Sequence, residues 1–328
     1  MTKHIQSLFG FFSLILLVQF TACKSAKDTT EVAVKAPSTD NVEVQKESWD
    51  NLPNNLLWKI SGKELTQPSY LYGTIHMIEA EDFFLPSGTE TAIEDSDRLV
   101  FEIDMADMQD MSKIMGMMDK FYMADNLTIK DLLSEEDYTL VESHFEKAGL
   151  PIFFFQRMKP MFLTVFTSGD MDIGDLQSGK IKSYEGEFME MAESANKETA
   201  GLETIDFQIS IFDQIPYEDQ ATMLMESIKS GSTGSDSFKE IVDVYKQQNL
   251  NKMLTMSLSD EEGEGLGEFE DILLNQRNIN WIPQMQTMMT ENQNFFAVGA
   301  AHLPGKQGVI NLLREAGYTV EPFKSNGI

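Results

Sequence analysis

A short apolar run that ends in Gly, followed by two small or β-branched residues and a His, occurs twice in this chain. It reads Tyr70-Leu-Tyr-Gly-Thr-Ile-His76 near the beginning and Phe295-Phe-Ala-Val-Gly-Ala-Ala-His302 near the end. The segments behind the two copies are also alike. After His76 come a polar turn with Pro86 and Gly88, a short helix through Ala92 and Ile93, and the strand pattern Arg98-Leu-Val-Phe-Glu-Ile103. After His302 come Pro304-Gly305, a helix with apolar positions at 309, 310, 312, 313 and 316 that Gly317 closes, and a last strand over 318–322. Each end is therefore a β–Gly-x-x-His–α–β unit, compatible with a right-handed parallel crossover. The repetition predicts an α/β fold whose central sheet is built from these two units. Leu56 to Ser61 alternates and adds a hairpin partner to the strand at 68–73. Both His would then leave the carboxyl ends of strands, where open α/β sheets place their ligands.

Between the two units, from about 105 to 290, the chain reads as a large, mostly helical insert. Met105, Met108, Met111, Ile114 and Met115 follow helical spacing, Tyr138 to Ala148 is amphipathic, and Phe188 to Asn196 is helical. The apolar run from Ile152 predicts a helix through Phe166, and Glu198 to Glu203 has the pattern of a short strand. Gly231 to Ser235 and the acidic stretch Glu261 to Gly267 read as loops, and the second lacks the ligand spacing of an EF-hand. The methionine stripe suits an adaptable apolar face better than a copper site.

Residues 1–22 have the make-up of an export signal, with Lys3 on its flank and a short apolar stretch from Leu8 to Val18. Cys23, the only cysteine, stands just after that stretch like the acceptor of a bacterial lipoprotein signal. Residues 23–50 are polar and aperiodic, a flexible tether, which leaves 51–328 for the folded domain. Lys24 behind the lipidated Cys resembles the sorting signal of outer-membrane lipoproteins, so the expected location is the cell envelope, outer membrane or periplasm-facing. The net charge of −28 repels nucleic acid and anionic surfaces.

Chemistry concentrates on few residues. The chain has four His, of which His4 lies in the export signal and His144 among charged residues of an amphipathic helix. Two imidazoles brought together from opposite ends can frame a water or hold a divalent metal. Glu102 follows Leu99-Val-Phe101 in an apolar strand, and a buried carboxylate is costly unless paired, protonated or liganded. His76, Glu102 and His302 therefore make a candidate metal set for Mn, Co or Zn. Arg277, on a helix 25 residues before His302, is placed to orient Glu102 or steady an oxyanion. An ion pair with Glu270 or Asp271 on its own helix is the plainer use of Arg277. No phosphate loop, Gly-x-Ser-x-Gly elbow, His-Glu-x-x-His helix or Cys-x-x-Cys pair is present.

With these residues in hand, the chain resembles the TraB/GumN family, which includes the animal Tiki proteases. The matching segments are Leu57-Trp-Lys-Ile60, Tyr72-Gly-Thr-Ile-His76, Phe101-Glu-Ile-Asp104, Gly201-Leu-Glu-Thr204 with Gln208, Gln276-Arg-Asn278 with Trp281, and Val298 to Gly305. The resemblance implies a hydrolase-like site at His76, Glu102, Arg277 and His302, with Glu203 a further candidate ligand. Tiki relatives look like metal-dependent peptidases. The wider group is similar to erythromycin esterases, in which a Glu and a His activate water and no metal is needed. The expectation is an exported, lipid-anchored, metal-dependent hydrolase of peptide or ester bonds. The alternative is an envelope lipoprotein of the same fold that binds or sequesters peptides.

Overall fold

The computed structural model describes residues 51–104, 111–164, 178–230, 234–258 and 269–324, with short pieces at 20–21, 49 and 263–264. Most of the export signal, Cys23, most of the tether, Met105 and Met108 and most of the two loops fall outside the described residues.

Among the described residues the chain lays down β1 (Leu57–Ser61), β2 (Ser69–Thr74), β3 (Met77–Glu79), α1 (Thr89–Asp95) and β4 (Arg98–Ile103). The middle adds α2 (Glu135–Lys147), β5 (Ile181–Ser183), α3 (Tyr184–Ser194), β6 (Glu198–Glu203), α4 (Ile205–Phe212), α5 (Tyr217–Ser230), α6 (Gly234–Lys246) and α7 (Leu250–Leu258). The end supplies α8 (Gln276–Glu291), β7 (Asn294–Gly299), α9 (Val309–Glu315) and β8 (Thr319–Pro322). This is an α/β fold with a central six-stranded sheet and a helical insert.

The sheet order is β8-β1-β2-β7-β4-β6. β1 runs antiparallel to both its neighbours, and the pairs β2/β7, β7/β4 and β4/β6 are parallel. The two units are thus interleaved rather than placed side by side. β7 of the second unit lies between β2 and β4 of the first, and the β6 edge comes from the middle of the chain. β2 and β7 are buried along their whole length, as strands covered on both faces must be, which is why they read as unbroken apolar runs.

The interleaving places the two motifs beside each other. Gly73 pairs with Val298 and Thr74 with Gly299, so the two chains leave the sheet together. Gly73 is required there: a Cβ would stand 3.1 Å from the Ala300 Cα, inside the second motif. The main core covers both sides of the sheet and includes Trp58, Tyr72, Phe101, Phe188, Trp281 and Phe295. The insert has a smaller core of its own, from Met123, Ile129, Val141, Phe145, Ile152, Leu163, Leu224, Met225 and Ile228.

Two expectations change, one in the insert and one in the first unit. Instead of one helix from Ile152 there is a 3₁₀ turn at Ile152–Phe154 and a single helical turn at Pro160–Leu163. Pro160 disfavours helical backbone at Lys159 and opens the later turn as its first residue. The segment after His76 is the strand β3, which pairs with β5 in register Met77↔Ser183. No helix among the described residues is long and apolar enough to cross a membrane.

Candidate active site

Glu102 stands near the end of β4, an interior strand, and is buried. Its Oε1 accepts the Gly299 amide at 2.8 Å, and its Oε2 accepts Arg277 Nη2 at 2.5 Å and Gln208 Nε2 at 3.3 Å. Burial alone would raise the pKa of this carboxyl, but the Arg277 charge and the Gly299 amide hold it well below the usual carboxylate range. Glu102 is therefore an anion throughout the neutral range and a weak base.

Arg277 reaches the site from the first turn of α8, behind a π-helical turn at Asp271–Asn275. Such turns displace the following side chains by a fraction of a helical turn and are common beside functional sites. The guanidinium is fully buried and saturated. Nε donates to Glu203 at 3.1 Å, Nη2 to Glu203 at 2.7 Å and to Glu102, and Nη1 to the Leu273 carbonyl at 3.2 Å. The second Nη1 proton faces His302 Nε2 at 3.2 Å. Glu270 and Asp271 are not its partners. Glu203, expected as a further metal ligand, serves here as the two-oxygen clamp on Arg277.

The two histidines meet at Gly299. A Cβ on that residue would lie 3.3 Å from Glu102 Oε1, 3.5 Å from His302 Cδ2 and 3.7 Å from His76 Nε2. The absent side chain is the floor of the site. Beyond the ring atoms that face Gly299, their surroundings differ. His76 Nδ1 lies 2.9 Å from Glu185 Oε1, which also accepts the Thr74 hydroxyl at 2.8 Å. His302 Nδ1 lies 2.6 Å from Asn278 Oδ1. The Asn278 amide is oriented by its Nδ2 donating to the Gln307 carbonyl at 2.9 Å, so its oxygen faces the ring and the proton of His302 sits on Nδ1.

The consequence is electrostatic. Burial would lower the pKa of His76, but the charge and hydrogen bond of Glu185, aided by the charge of Glu102, raise it above 6.5. For His302 burial wins, because its Nδ1 partner is neutral and Arg277 is beside it; its pKa falls to about 3 despite Glu102. His302 is a neutral ring with both nitrogens engaged, packed on Trp281 at a centroid distance of 4.5 Å. His76 and Glu102 are the less enclosed members of the group.

Glu185, which holds His76, carries no signal in the sequence. It is one acid in the first turn of α3 behind the Ser183 cap, where acids are common. It arrives beside His76 through the β3/β5 pairing, with the Tyr184 amide donating to the His76 carbonyl at 3.3 Å. Asn278 and Gln208 lie in the motif segments, but spacing alone gave them no role. His144, half-buried on α2, takes no part.

The donor set can be compared with what a divalent metal requires. Both His have their outer nitrogen tied to a protein acceptor, as metal-ligating His do. Yet Arg277 occupies His302 Nε2 and Glu102 Oε2, and no group of three His, Cys, Asp or Glu able to hold a metal is formed among the described residues. In this arrangement the residues His76, His302, Glu102 and Glu203 do not fit a preformed metal centre.

The model of the TraB/PrgY/gumN family matches residues 56–322. Among curated proteins, the Metalloprotease TIKI2 of Danio rerio is 23% identical, over 95% of this chain and 68% of its own length. The Metalloprotease TIKI2 of Xenopus tropicalis is 22% identical, over 82% of this chain and 60% of its own length. The Metalloprotease TIKI1 of Homo sapiens is 22% identical, over 87% and 65%. No solved structure matches. A motif pair at the two ends of the domain, an interleaved sheet that joins them and a family match over that whole span lead to one conclusion: the chain belongs to the TraB/PrgY/gumN family.

Proposed function

We propose that this protein is an exported, lipid-anchored hydrolase that cleaves peptide or ester bonds with His76 as its general base. The observation that carries the reading is the contrast at the ring nitrogens. His76 has Nδ1 on the Glu185 carboxylate, while its Nε2 and Glu102 Oε1 both lie within 4 Å of the place where a Gly299 side chain would stand. A water between His76 Nε2 and Glu102 Oε1 would lose its proton to His76, and its oxygen would add to the carbonyl carbon. When the carbon–nitrogen or carbon–oxygen bond breaks, the same proton passes from Nε2 to the leaving group. Glu102 accepts a hydrogen bond from the second hydrogen, which stays on the water oxygen, and supports the imidazolium by charge. Arg277, whose five N–H groups are all engaged, positions Glu102 rather than meeting the oxyanion. Distant relatives named metalloproteases support a hydrolase.

Those names favour a second reading, in which His76, His302 and Glu102 would hold a divalent ion, Mn, Co or Zn, that would activate the attacking water. It requires Arg277 to withdraw from His302. Calorimetry with each metal, beside turnover of fluorogenic peptides and aryl esters with and without chelator, separates the two. Turnover that resists chelator and disappears in His76→Ala supports the first reading. Turnover that survives His76→Ala and His302→Ala together contradicts both, whereas peptide that binds and is recovered intact, without turnover in the native protein, points to a peptide-binding envelope lipoprotein. Lipid on Cys23 would be read as a mass increment on the N-terminal peptide.

A further inference from the structure

We infer that the turn at Ile152–Phe154 is a membrane-contact tip that rests on the surface of an anionic phospholipid bilayer. Phe153 and Phe154 are 70% and 72% exposed, the highest values among the large apolar side chains described as exposed. They are adjacent, edge to face at 5.6 Å, and raised on a 3₁₀ turn between Pro151 and Phe155. Ile152 beneath them is buried in the core of the insert, so the turn is anchored while the two rings face outward. A pair of rings held in water in this way is unfavourable unless something covers them.

Charge identifies the cover. The chain carries 53 acidic residues, yet none occurs between Glu146 and Asp170, and that stretch holds Lys147, Arg157 and Lys159. Lys159 is committed to Asp213, whereas Lys147 at the end of α2 and Arg157 just past the turn are exposed. Exposed aromatic rings flanked by cations, on a protein that otherwise repels anionic surfaces, suit the boundary of headgroups and acyl chains. The proposal rests on the lipid anchor at Cys23. The anchor brings the domain to a membrane, and the local charge selects the face that meets it.

The test uses full-length protein reconstituted in vesicles of phosphatidylethanolamine and phosphatidylglycerol, with Phe154→Trp as reporter and Ile279→Trp as control. Ile279 is exposed on α8; the native Trp58 and Trp281 are fully buried, and the exposed Trp49 gives a background common to both variants that the unsubstituted protein measures. The expected result is a blue-shifted indole emission in Phe154→Trp that brominated acyl chains quench at least twofold, with no added quenching in Ile279→Trp. Replacing phosphatidylglycerol by phosphatidylcholine, or Arg157→Glu with Lys147→Glu, should remove most of the quenching. Protein that floats with the vesicles while the new indole stays unquenched overturns the tip and leaves the anchor. A blue-shifted but unquenched indole means that protein, such as a second copy, covers the rings, and also overturns it. Protein that does not float overturns anchor and tip together.

Discussion

His76 and His302 sit in the same local sequence, leave neighbouring parallel strands in near register, and converge on the same glycine. Their chemistry is nevertheless opposite. One imidazole backs onto a carboxylate and is the more basic for it; the other backs onto an amide, lies beside a guanidinium and stays neutral down to about 3. The Gly-x-x-His motif therefore fixes where a ring is placed. What the ring does is set by the partner of its far nitrogen, and that partner comes from another part of the chain: Glu185 from α3, Asn278 from α8. A repeated motif here builds an asymmetric site, with His76 as the group able to titrate near neutrality and His302 as part of its wall.

The largest expected effect comes from removing the charge that both halves share. Arg277→Leu leaves Glu102 and Glu203 buried without their cation and should cost about 3–5 kcal/mol in urea unfolding, since breaking one side of a buried ion pair strands the other. A loss below about 1 kcal/mol would mean that the cluster is far wetter than its burial indicates.

Next, the two histidines should fail in different ways. His76→Ala should lower turnover by about 10²–10⁴ while unfolding is little changed, because the ring is a proton carrier. His302→Ala should lower stability by about 1–3 kcal/mol, because it strands an Arg277 N–H and the Asn278 oxygen. Identical kinetic and stability profiles for the two variants would erase the asymmetry.

Glu185→Gln sharpens the point. With the carboxylate gone, the imidazolium form of His76 loses its partner, its pKa falls, and the rising limb of the pH–rate profile should move to lower pH. A loss of about 10–100-fold in kcat is expected, as for other groups that orient a catalytic ring. An unmoved limb would reassign the base.

The two motif glycines give the smallest contrast. Gly73→Ala presses a methyl against the Ala300 backbone and should destabilise by about 1–3 kcal/mol. Gly299→Ala meets only side-chain atoms of Glu102, His302 and His76, so turnover should fall more than stability.

Much of this was legible in the sequence for physical reasons. Periodicity and turn residues marked β2, β4 and β7, and a carboxylate in an apolar strand demanded a partner, which made Glu102 conspicuous. What periodicity could not supply was neighbour order. A strand's pattern reports which faces are covered, not which strand lies beside it, so the interleaving of the two units appears only in the fold. Glu185 was invisible for a related reason: β3 and β5, which bring it in, are three residues long and too short to show a pattern. Of the uses open to Arg277 in the sequence, orienting Glu102 is the one the fold realises, and only the surroundings could decide between them. A guanidinium with two acids, a carbonyl and an imidazole around it has no donor left for a substrate.

The most direct test of the asymmetry is a histidine ring titration by ¹H–¹³C NMR, with His76→Ala and His302→Ala used to assign the signals. His76 should titrate above 6.5, and His302 should show no titration until the pH approaches 3 or the protein unfolds. Stability should respond to the two rings with opposite signs. A raised pKa at His76 contributes stability that is complete below 6.5 and is lost as pH rises through its folded value. A lowered pKa at His302 withdraws stability as pH falls from 6.5 toward about 3. Two rings that titrate together near 6.5, or a His302 that titrates above His76, would contradict the claim that their partners set them apart.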